Sequence, residues 1–160
     1  MYDQAVLVAE ELVRNFPEEP RWWSQLGMFY LQVEKYEKAL SAFELADMQG
    51  FLKKESEAKA LAQLYQSNGM PYRGAKTLEK FIKAGVLKED AELTASIANA
   101  YHAAKEFKTA AKLYAKAAAE TSDPELYRKQ GTLLLIAEDY KGAVKALENA
   151  LERGIDNPEK

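Results

Sequence analysis

His102 is the only histidine in the 160-residue sequence, and the sequence contains no cysteine. A single imidazole excludes metal sites built from several histidines and leaves one candidate general base. A catalytic histidine would need a nucleophile or carboxylate brought beside it by folding, and no neighbouring residue in the sequence suggests one. The lack of cysteine excludes zinc-thiolate sites and cysteine nucleophiles. We therefore expect His102 to lie in a groove or in a turn near a helix end, without a catalytic role.

The other patterns that could carry chemistry are absent or weak. The sequence has no glycine-rich phosphate loop, no G-x-G-x-x-G and no H-E-x-x-H motif. Adjacent acids such as Glu10-Glu11, Glu18-Glu19 and Glu89-Asp90 do not point together from a helix and are interpreted as solvated charges. The sequence predicts a protein that is not an enzyme, with no catalytic residue, metal ligand or cofactor.

The composition is typical of a helical protein. Hydrophobic residues make up 48% and charged residues 29% of the chain, which excludes a disordered or collagen-like protein. Eight glycines and five prolines leave little length for irregular turns. The net charge of -3 is too balanced for a nucleic-acid partner, and no apolar run is long enough for a membrane span.

One pattern recurs at intervals of about 34 residues. It reads Tyr36-x-x-Ala39-x-x-x-Phe43-x-x-Ala46, Phe107-x-x-Ala110-x-x-x-Tyr114-x-x-Ala117 and Tyr140-x-x-Ala143-x-x-x-Leu147-x-x-Ala150. A weaker copy, Tyr72-x-x-Ala75-x-x-x-Glu79-x-x-Ile82, has Glu79 where the others have a large residue. We expect this second repeat to be the least regular. A period of this length predicts a helical repeat protein.

A first helix is predicted before each copy. The four segments read Trp23-x-x-Leu26-Gly27-x-x-Tyr30, Ala58-x-x-Leu61-Ala62-x-x-Tyr65, Thr94-x-x-Ile97-Ala98-x-x-Tyr101 and Tyr127-x-x-Gln130-Gly131-x-x-Leu134. Their small central residues allow two helix backbones to approach closely. We expect no strand, and helix pairs at 20–33 with 36–48, 55–67 with 71–83, 90–103 with 107–120, and 124–137 with 140–153.

Together these patterns resemble the tetratricopeptide repeat, over residues 20 to about 153. The resemblance implies an all-α fold, a right-handed superhelix of antiparallel helix pairs that forms a single solenoid over residues 1–160. The predicted parts are a half-repeat or capping helix at 1–17 and four repeats at 20–53, 55–89, 91–122 and 124–157.

Both ends of the sequence read as parts of further repeats. Tyr2-x-x-Ala5-x-x-x-Ala9-x-x-Leu12 resembles a second helix, and Gly154-Ile155-Asp156-Asn157-Pro158 resembles a connector into another repeat. We therefore expect a fragment of a longer array. The alternative is a solitary capping helix over residues 3–15, because terminal repeats are often atypical.

Most aromatic residues are predicted to pack between helices. This interpretation covers Trp23 and the stripe Tyr30, Tyr36, Phe43, Tyr65, Tyr101, Phe107 and Tyr114. Trp22 is about 100° further round the helix than Trp23, so we expect it to be partly exposed. A ligand-stacking role for Trp22 is the alternative.

The resemblance implies that the first helices line a concave face. Helical spacing places ten residues on that face as a predicted binding groove for a peptide or protein: Arg21, Ser24, Met28, Lys59, Gln63, Gln66, Asn99, His102, Arg128 and Thr132. Hydrogen-bonding side chains of this kind suit an extended peptide, whose backbone groups need partners.

Chaperone-binding members of the family hold a carboxylate in a clamp of lysine, asparagine and arginine. The positions corresponding to that clamp are Ser24, Met28, Ala60, Glu92 and Ser96, and none of them matches. A shift of one repeat also fails, since Glu125 then brings the wrong charge. A co-chaperone role is therefore not predicted.

The predicted function is a non-enzymatic scaffold that binds a protein or peptide in the groove. The stretches Arg21-Trp22-Trp23-Ser24-Gln25-Leu26 and Leu64 to Tyr72 are also similar to bacterial envelope proteins of this family that accompany TonB transport systems. That narrower resemblance implies a periplasmic partner; without it the protein is expected in the cytoplasm. The alternative function is self-assembly through the solenoid ends, as a homodimer.

Overall fold

The computed structural model describes residues 1–154, which contain nine α-helices and no strand. The helices are α1 (Tyr2–Asn15), α2 (Pro20–Gln32), α3 (Tyr36–Met48), α4 (Glu55–Ser67), α5 (Pro71–Lys83), α6 (Ala91–Ala103), α7 (Phe107–Thr121), α8 (Pro124–Ile136) and α9 (Tyr140–Glu152). The predicted all-α fold is confirmed, and the bounds of the four predicted helix pairs agree with α2–α9 within one residue. The predicted connector after Gly154 lies outside the described residues.

The chain forms two compact units. The N-terminal unit is Met1–Leu87 and holds α1–α5, and the C-terminal unit is Lys88–Lys160 and holds α6–α9. Within each unit, helices that follow one another in the chain pack together: α1 on α2, α2 on α3, α3 on α4 and α4 on α5, and likewise from α6 to α9. None of these helices has the length and apolar character needed to cross a membrane.

Aspartate side chains cap the N-termini of three helices. Asp90 Oδ1 accepts a hydrogen bond from the backbone N–H of Leu93 at 2.8 Å, and Asp139 does the same for Gly142 at 3.0 Å. Asp123 caps α8, whose first residue is proline, through a hydrogen bond from the backbone N–H of Glu125. These carboxylates satisfy N–H groups that have no partner inside the helix.

Residues with left-handed backbone conformation follow the C-terminal ends of the helices from α2 to α9. Four of these residues are glycines, Gly50, Gly69, Gly85 and Gly154, with φ between 71° and 91°. Four residues with side chains take the same conformation without a sequence signal: Glu34, Lys105, Ser122 and Glu138. Left-handed backbone is costly for residues with a Cβ, so the packing of the adjoining helices must hold these turns.

A glycine lets the first and second helices of a repeat approach closely. A Cβ at Gly27 of α2 would lie 2.7 Å from Cε2 of Phe43 on α3, and one at Gly131 of α8 would lie 2.7 Å from Cγ of Leu147 on α9. These distances are too short for carbon atoms in contact. The prediction that small residues mark helix contacts is therefore confirmed at both glycines.

The predicted register of the second repeat is wrong by one residue. In α3 the buried residues are Ala39, Leu40, Ala42, Phe43 and Ala46, and in α5 the same spacing gives Gly74, Ala75, Thr77, Leu78 and Phe81. Leu78 is therefore the counterpart of Phe43, and Glu79 lies on the partly exposed side of α5. The helix begins at Pro71, and Gly74 supplies the small residue that the alignment assigned to Ala75.

Three aromatic residues predicted to pack between helices are not fully buried. Tyr36 is 50% exposed and Phe107 is half-buried, because each is the first residue of its helix. Trp23 is also only half-buried, and its indole N–H donates to the carbonyl of Pro17 at 2.8 Å. Trp22 is half-buried, as predicted.

The hydroxyl of Thr94 in α6 has no hydrogen-bond partner although the residue is 1% exposed. An unpaired buried hydroxyl costs about 1–3 kcal/mol, whereas valine has the same shape and needs no partner. We expect Thr94→Val to raise the free energy of unfolding by about 1 kcal/mol in urea denaturation. Thr109→Val, at an exposed position of α7, is the control and should change stability little. Destabilisation by Thr94→Val would contradict the assignment of an unpaired hydroxyl.

Candidate functional site

The predicted groove residues of the N-terminal unit lie on α2 and α4. Arg21 is exposed, and its guanidinium carbon lies 4.2 Å from the ring centroid of Trp22. Ser24 is buried at 8% exposure and Met28 is half-buried, so neither offers much surface to a ligand. Of the predicted residues on α2, only Arg21 is fully available.

The α4 residues form a more open stripe. Lys59 and Gln63 are exposed one turn apart, and Lys59 forms an ion pair with Glu55. Gln66 is half-buried because its side chain packs over Gly74, where a Cβ would lie 2.8 Å from its Cγ. This stripe therefore presents one ammonium group and one free amide side chain at adjacent turns.

The predicted residues of α6 are exposed at the end of that helix. The Asn99 side-chain oxygen accepts a hydrogen bond from the hydroxyl of Tyr114 on α7, and burial raises the pKa of Tyr114. Asn99 keeps its amide N–H groups for a ligand. The His102 ring lies 6.1 Å from the Phe107 ring in an edge arrangement. Within the described residues His102 has no carboxylate or hydroxyl partner, so the geometry supplies no catalytic dyad.

The predicted residues of α8, Arg128 and Thr132, are also exposed. The Arg128 guanidinium makes two hydrogen bonds to Glu125, which lower the pKa of that carboxyl and raise the pKa of the guanidinium. The Thr132 hydroxyl donates to the backbone carbonyl of Arg128 at 3.0 Å. The pairing neutralises much of the charge that Arg128 would offer to an anionic ligand.

Sequence reasoning missed a cluster that joins three helices in the N-terminal unit. The Tyr30 hydroxyl on α2 donates to Glu10 Oε1 on α1 at 2.5 Å, and Lys38 of α3 has its Nζ 5.5 Å from the Tyr30 ring centroid. Lys38 Nζ is also 3.8 Å from Glu10 Oε1. The cluster places an acid, a phenol and a cation on three successive helices.

The same cluster recurs one repeat later. The Tyr65 hydroxyl of α4 donates to Glu44 of α3 at 2.8 Å, and the Arg73 guanidinium of α5 lies 4.6 Å from the Tyr65 ring centroid. An Arg73 nitrogen is 3.4 Å from Glu44 Oε1. The repeat of glutamate, tyrosine and a basic residue at intervals close to the main period is the sequence signal that could have identified these clusters.

Burial and hydrogen bonding to a carboxylate raise the pKa of both Tyr30 and Tyr65 to about 12. An unperturbed tyrosine has a pKa of about 10, so between these values only the unfolded chain loses the proton. The stabilisation is complete below about pH 10 and is lost as the pH rises towards 12. We expect urea midpoints to fall over this range, and to fall less steeply in a Tyr30→Phe, Tyr65→Phe variant. An equal slope in the two proteins would contradict the assignment.

Two adjoining clefts lie on either side of α3. One, of about 420 Å³, lies between α2 and α3, and the other, of about 540 Å³, lies between α3, α4 and α5. Both are lined by Ser41 and Leu45. The N-terminal unit thus offers a recessed surface that the predicted groove residues do not line.

No group of three or more metal-ligating side chains occurs in residues 1–154. The described chain consists of short antiparallel helices packed in sequence order, with polar stripes on its first helices. These features define a helical-repeat protein. The profile described as tetratricopeptide repeat matches residues 2–50 and 59–125, and the chain belongs to this family.

Several solved structures share the fold at low sequence identity. "YrrB: a TPR protein with an unusual peptide-binding site" is 14% identical with a TM-score of 0.73, and the match covers 98% of this chain and 79% of that one. "Crystal structure of MamA" is 16% identical with a TM-score of 0.67, covering 95% and 88%. "MamA 41-end from Desulfovibrio magneticus RS-1" is 15% identical with a TM-score of 0.64, covering 95% and 85%. A comparison with curated proteins found no match.

Proposed function

We propose that the chain is a non-enzymatic scaffold that binds a protein or peptide through exposed side chains of its first helices. The observation that carries the proposal is the stripe on α4, where Lys59 and Gln63 stand exposed one turn apart above a fully buried helix face. Asn99 and His102 on α6, and Arg128 and Thr132 on α8, are exposed in the C-terminal unit. Side chains of this chemistry bind the backbone and polar groups of an extended peptide.

The fold and the family support this function at a general level. YrrB, a structural neighbour with the same repeat, is described as having a peptide-binding site. The four repeats predicted at 20–53, 55–89, 91–122 and 124–157, with a half-repeat or capping helix at 1–17, are part of the proposal, because they supply the first helices that bind.

A pull-down from native extract tests the proposal, with recovered proteins identified by mass spectrometry. The bait carries Lys59→Ala, Gln63→Ala and His102→Ala, three exposed first-helix residues whose removal leaves the core intact. We expect a partner captured by the wild type to be lost by this variant. Asn99 is kept because its loss would leave the Tyr114 hydroxyl without the acceptor described above.

The matched control replaces three exposed lysines of second helices, Lys83, Lys112 and Lys145, by alanine. It should recover the partner as well as the wild type does. Equal recovery by the first-helix variant, with both variants folded by circular dichroism, would reject the first helices as the binding surface. Direct binding of the identified partner by calorimetry then gives the size of the loss.

A periplasmic partner of a TonB transport system is the narrower form of this proposal. It rests on the similarity of two stretches, Arg21–Leu26 and Leu64–Tyr72, to envelope proteins of the family. The structures named above add no support for it. Identification of a TonB-system protein in the pull-down is the result that would establish this partner.

Self-assembly through the ends of the solenoid is the second candidate function. Its specific support is the exposure of apolar side chains on the terminal helices: Leu7 and Val8 of α1 are 64% and 59% exposed, and Val144 and Leu151 of α9 are each 55% exposed. Such side chains on an open helix face favour association with another surface.

A further inference from the structure

The outer stripe of α9 consists of Val144, Glu148 and Leu151. Their spacing of four and three residues places them on one side of the helix. All three are exposed, and Glu148 has no hydrogen bond or ion pair within residues 1–154. At the position of Val144, the other second helices have Leu40, Ala75 and Ala111, which are at most 8% exposed. Within the described part of the chain, the α9 stripe therefore lacks the cover that the equivalent stripes have.

The first helix of the chain carries the same stripe with its cover in place. Val6, Glu10 and Val13 of α1 have the spacing of the α9 stripe and nearly the same residue types. Val6 and Val13 are 3% and 8% exposed, and α1 packs on α2. Glu10 accepts the hydroxyl proton of Tyr30 from α2. In α1 the stripe is thus covered by an apolar face of α2, which also supplies a phenol as hydrogen-bond donor to the carboxylate.

The α9 helix itself carries a suitable phenol. Tyr140 is 64% exposed and precedes Glu148 by eight residues, with Val144 midway between them. These three residues form one ridge of side chains spaced by four, about 12 Å long. In the commonest helix crossing, at about −50°, such ridges from two helices run alongside each other. An antiparallel pair centred on Val144 brings each Tyr140 beside the other copy's Glu148.

We propose that a second copy of this chain docks on the α9 stripe in this antiparallel arrangement. Each Tyr140 hydroxyl donates to Glu148 of the other copy, and the two Val144 side chains meet at the two-fold axis. The contact is self-complementary, as a symmetric dimer requires. Because each carboxylate receives a donor, neither is left unpaired in an apolar contact. The proposal rests on the second candidate function, self-assembly, and is independent of binding on the first helices.

Sedimentation velocity of the full chain from about 1 µM to about 1 mM tests this contact, a range that spans weak to moderate dimers. We expect the wild type to dimerise and Val144→Glu to remain a monomer, since two glutamates would meet at the axis. Tyr140→Phe should weaken the dimer about tenfold or more, because two charge-assisted hydrogen bonds are lost by symmetry. Met48→Glu, at an apolar position of α3 that is 83% exposed, is the control and should dimerise like the wild type.

Each other result overturns part or all of the proposal. A wild type that stays monomeric at every concentration removes self-assembly altogether. A dimer that survives Val144→Glu keeps self-assembly but moves it away from α9. A dimer that is lost in Val144→Glu but unchanged in Tyr140→Phe rejects the tyrosine–glutamate pairing. The last outcome uses a synthetic peptide of residues 19–33, the α2 segment. If the wild type is monomeric and binds this peptide, and Val144→Glu abolishes the binding, the stripe is assigned to a tyrosine-bearing helix of another protein instead.

Discussion

Replacing Phe43 by alanine is expected to lower the free energy of unfolding by about 3–5 kcal/mol. The Phe43 side chain is fully buried at 0% exposure and fills the space between α2 and α3, against the backbone of Gly27. Alanine would leave a cavity that the helix backbones cannot close, so both burial and packing are lost. Urea denaturation followed by circular dichroism measures the change.

The control for this prediction is Met48→Ala on the same helix. Met48 is 83% exposed, so its truncation should change stability by less than about 0.5 kcal/mol. Gly27→Ala adds a second check, because its new Cβ would lie 2.7 Å from the Phe43 ring. It should destabilise the wild type clearly and cost much less in the Phe43→Ala protein. Equal effects of Phe43→Ala and Met48→Ala would contradict the described core.

Leu78→Ala is expected to lower the free energy of unfolding by about 2–5 kcal/mol, whereas Glu79→Gln should change it by less than about 1 kcal/mol. Leu78 is 3% exposed in α5, and Glu79 is half-buried and pairs with Lys76 at 2.9 Å. Glutamine keeps an oxygen that can accept hydrogen bonds, so its effect is confined to the lost charge.

The two variants distinguish the two registers of α5. If Glu79 occupied the position of Phe43, as the sequence alignment has it, Leu78 would take the position of Ala42, which an alanine fills in α3, so Leu78→Ala would cost much less. Glu79→Leu is the third member of the set: it should not stabilise the protein, because Leu78 already fills the core position. A clear gain in stability from Glu79→Leu would favour the aligned register over the described one.

The register of α5 illustrates what a repeat pattern can and cannot predict. The sequence anchors Tyr72 and Ala75 match the other copies, but a shift of one residue turns a helix face by about 100°. Which face is buried depends on the helix that packs against it. Here Gly74 lies against the carbonyl of Ala62, where a Cβ would be 2.9 Å away, and that contact sets the rotation of α5.

The exposed residues were predicted less well than the helices. Ser24 was assigned to the groove and is buried, and Tyr36 was assigned to the core and is half exposed. Helical spacing gives the angle of a side chain around the axis of its helix. Whether a side chain at that angle is exposed depends on the neighbouring helices. His102 and Gln63 were placed on an exposed face, and both are exposed.

Within residues 1–154, the sequence alone determined the bounds of the four helix pairs and the family, because helical spacing and a 34-residue hydrophobic period are local signals. Only the tertiary structure decided which carboxylates meet which phenols, as Glu10 meets Tyr30 and Glu44 meets Tyr65. It also decided where the clefts lie along α3. The physical reason is that these contacts join residues about 20 positions apart on different helices, and their distances follow from how the helices pack rather than from the period of any one of them.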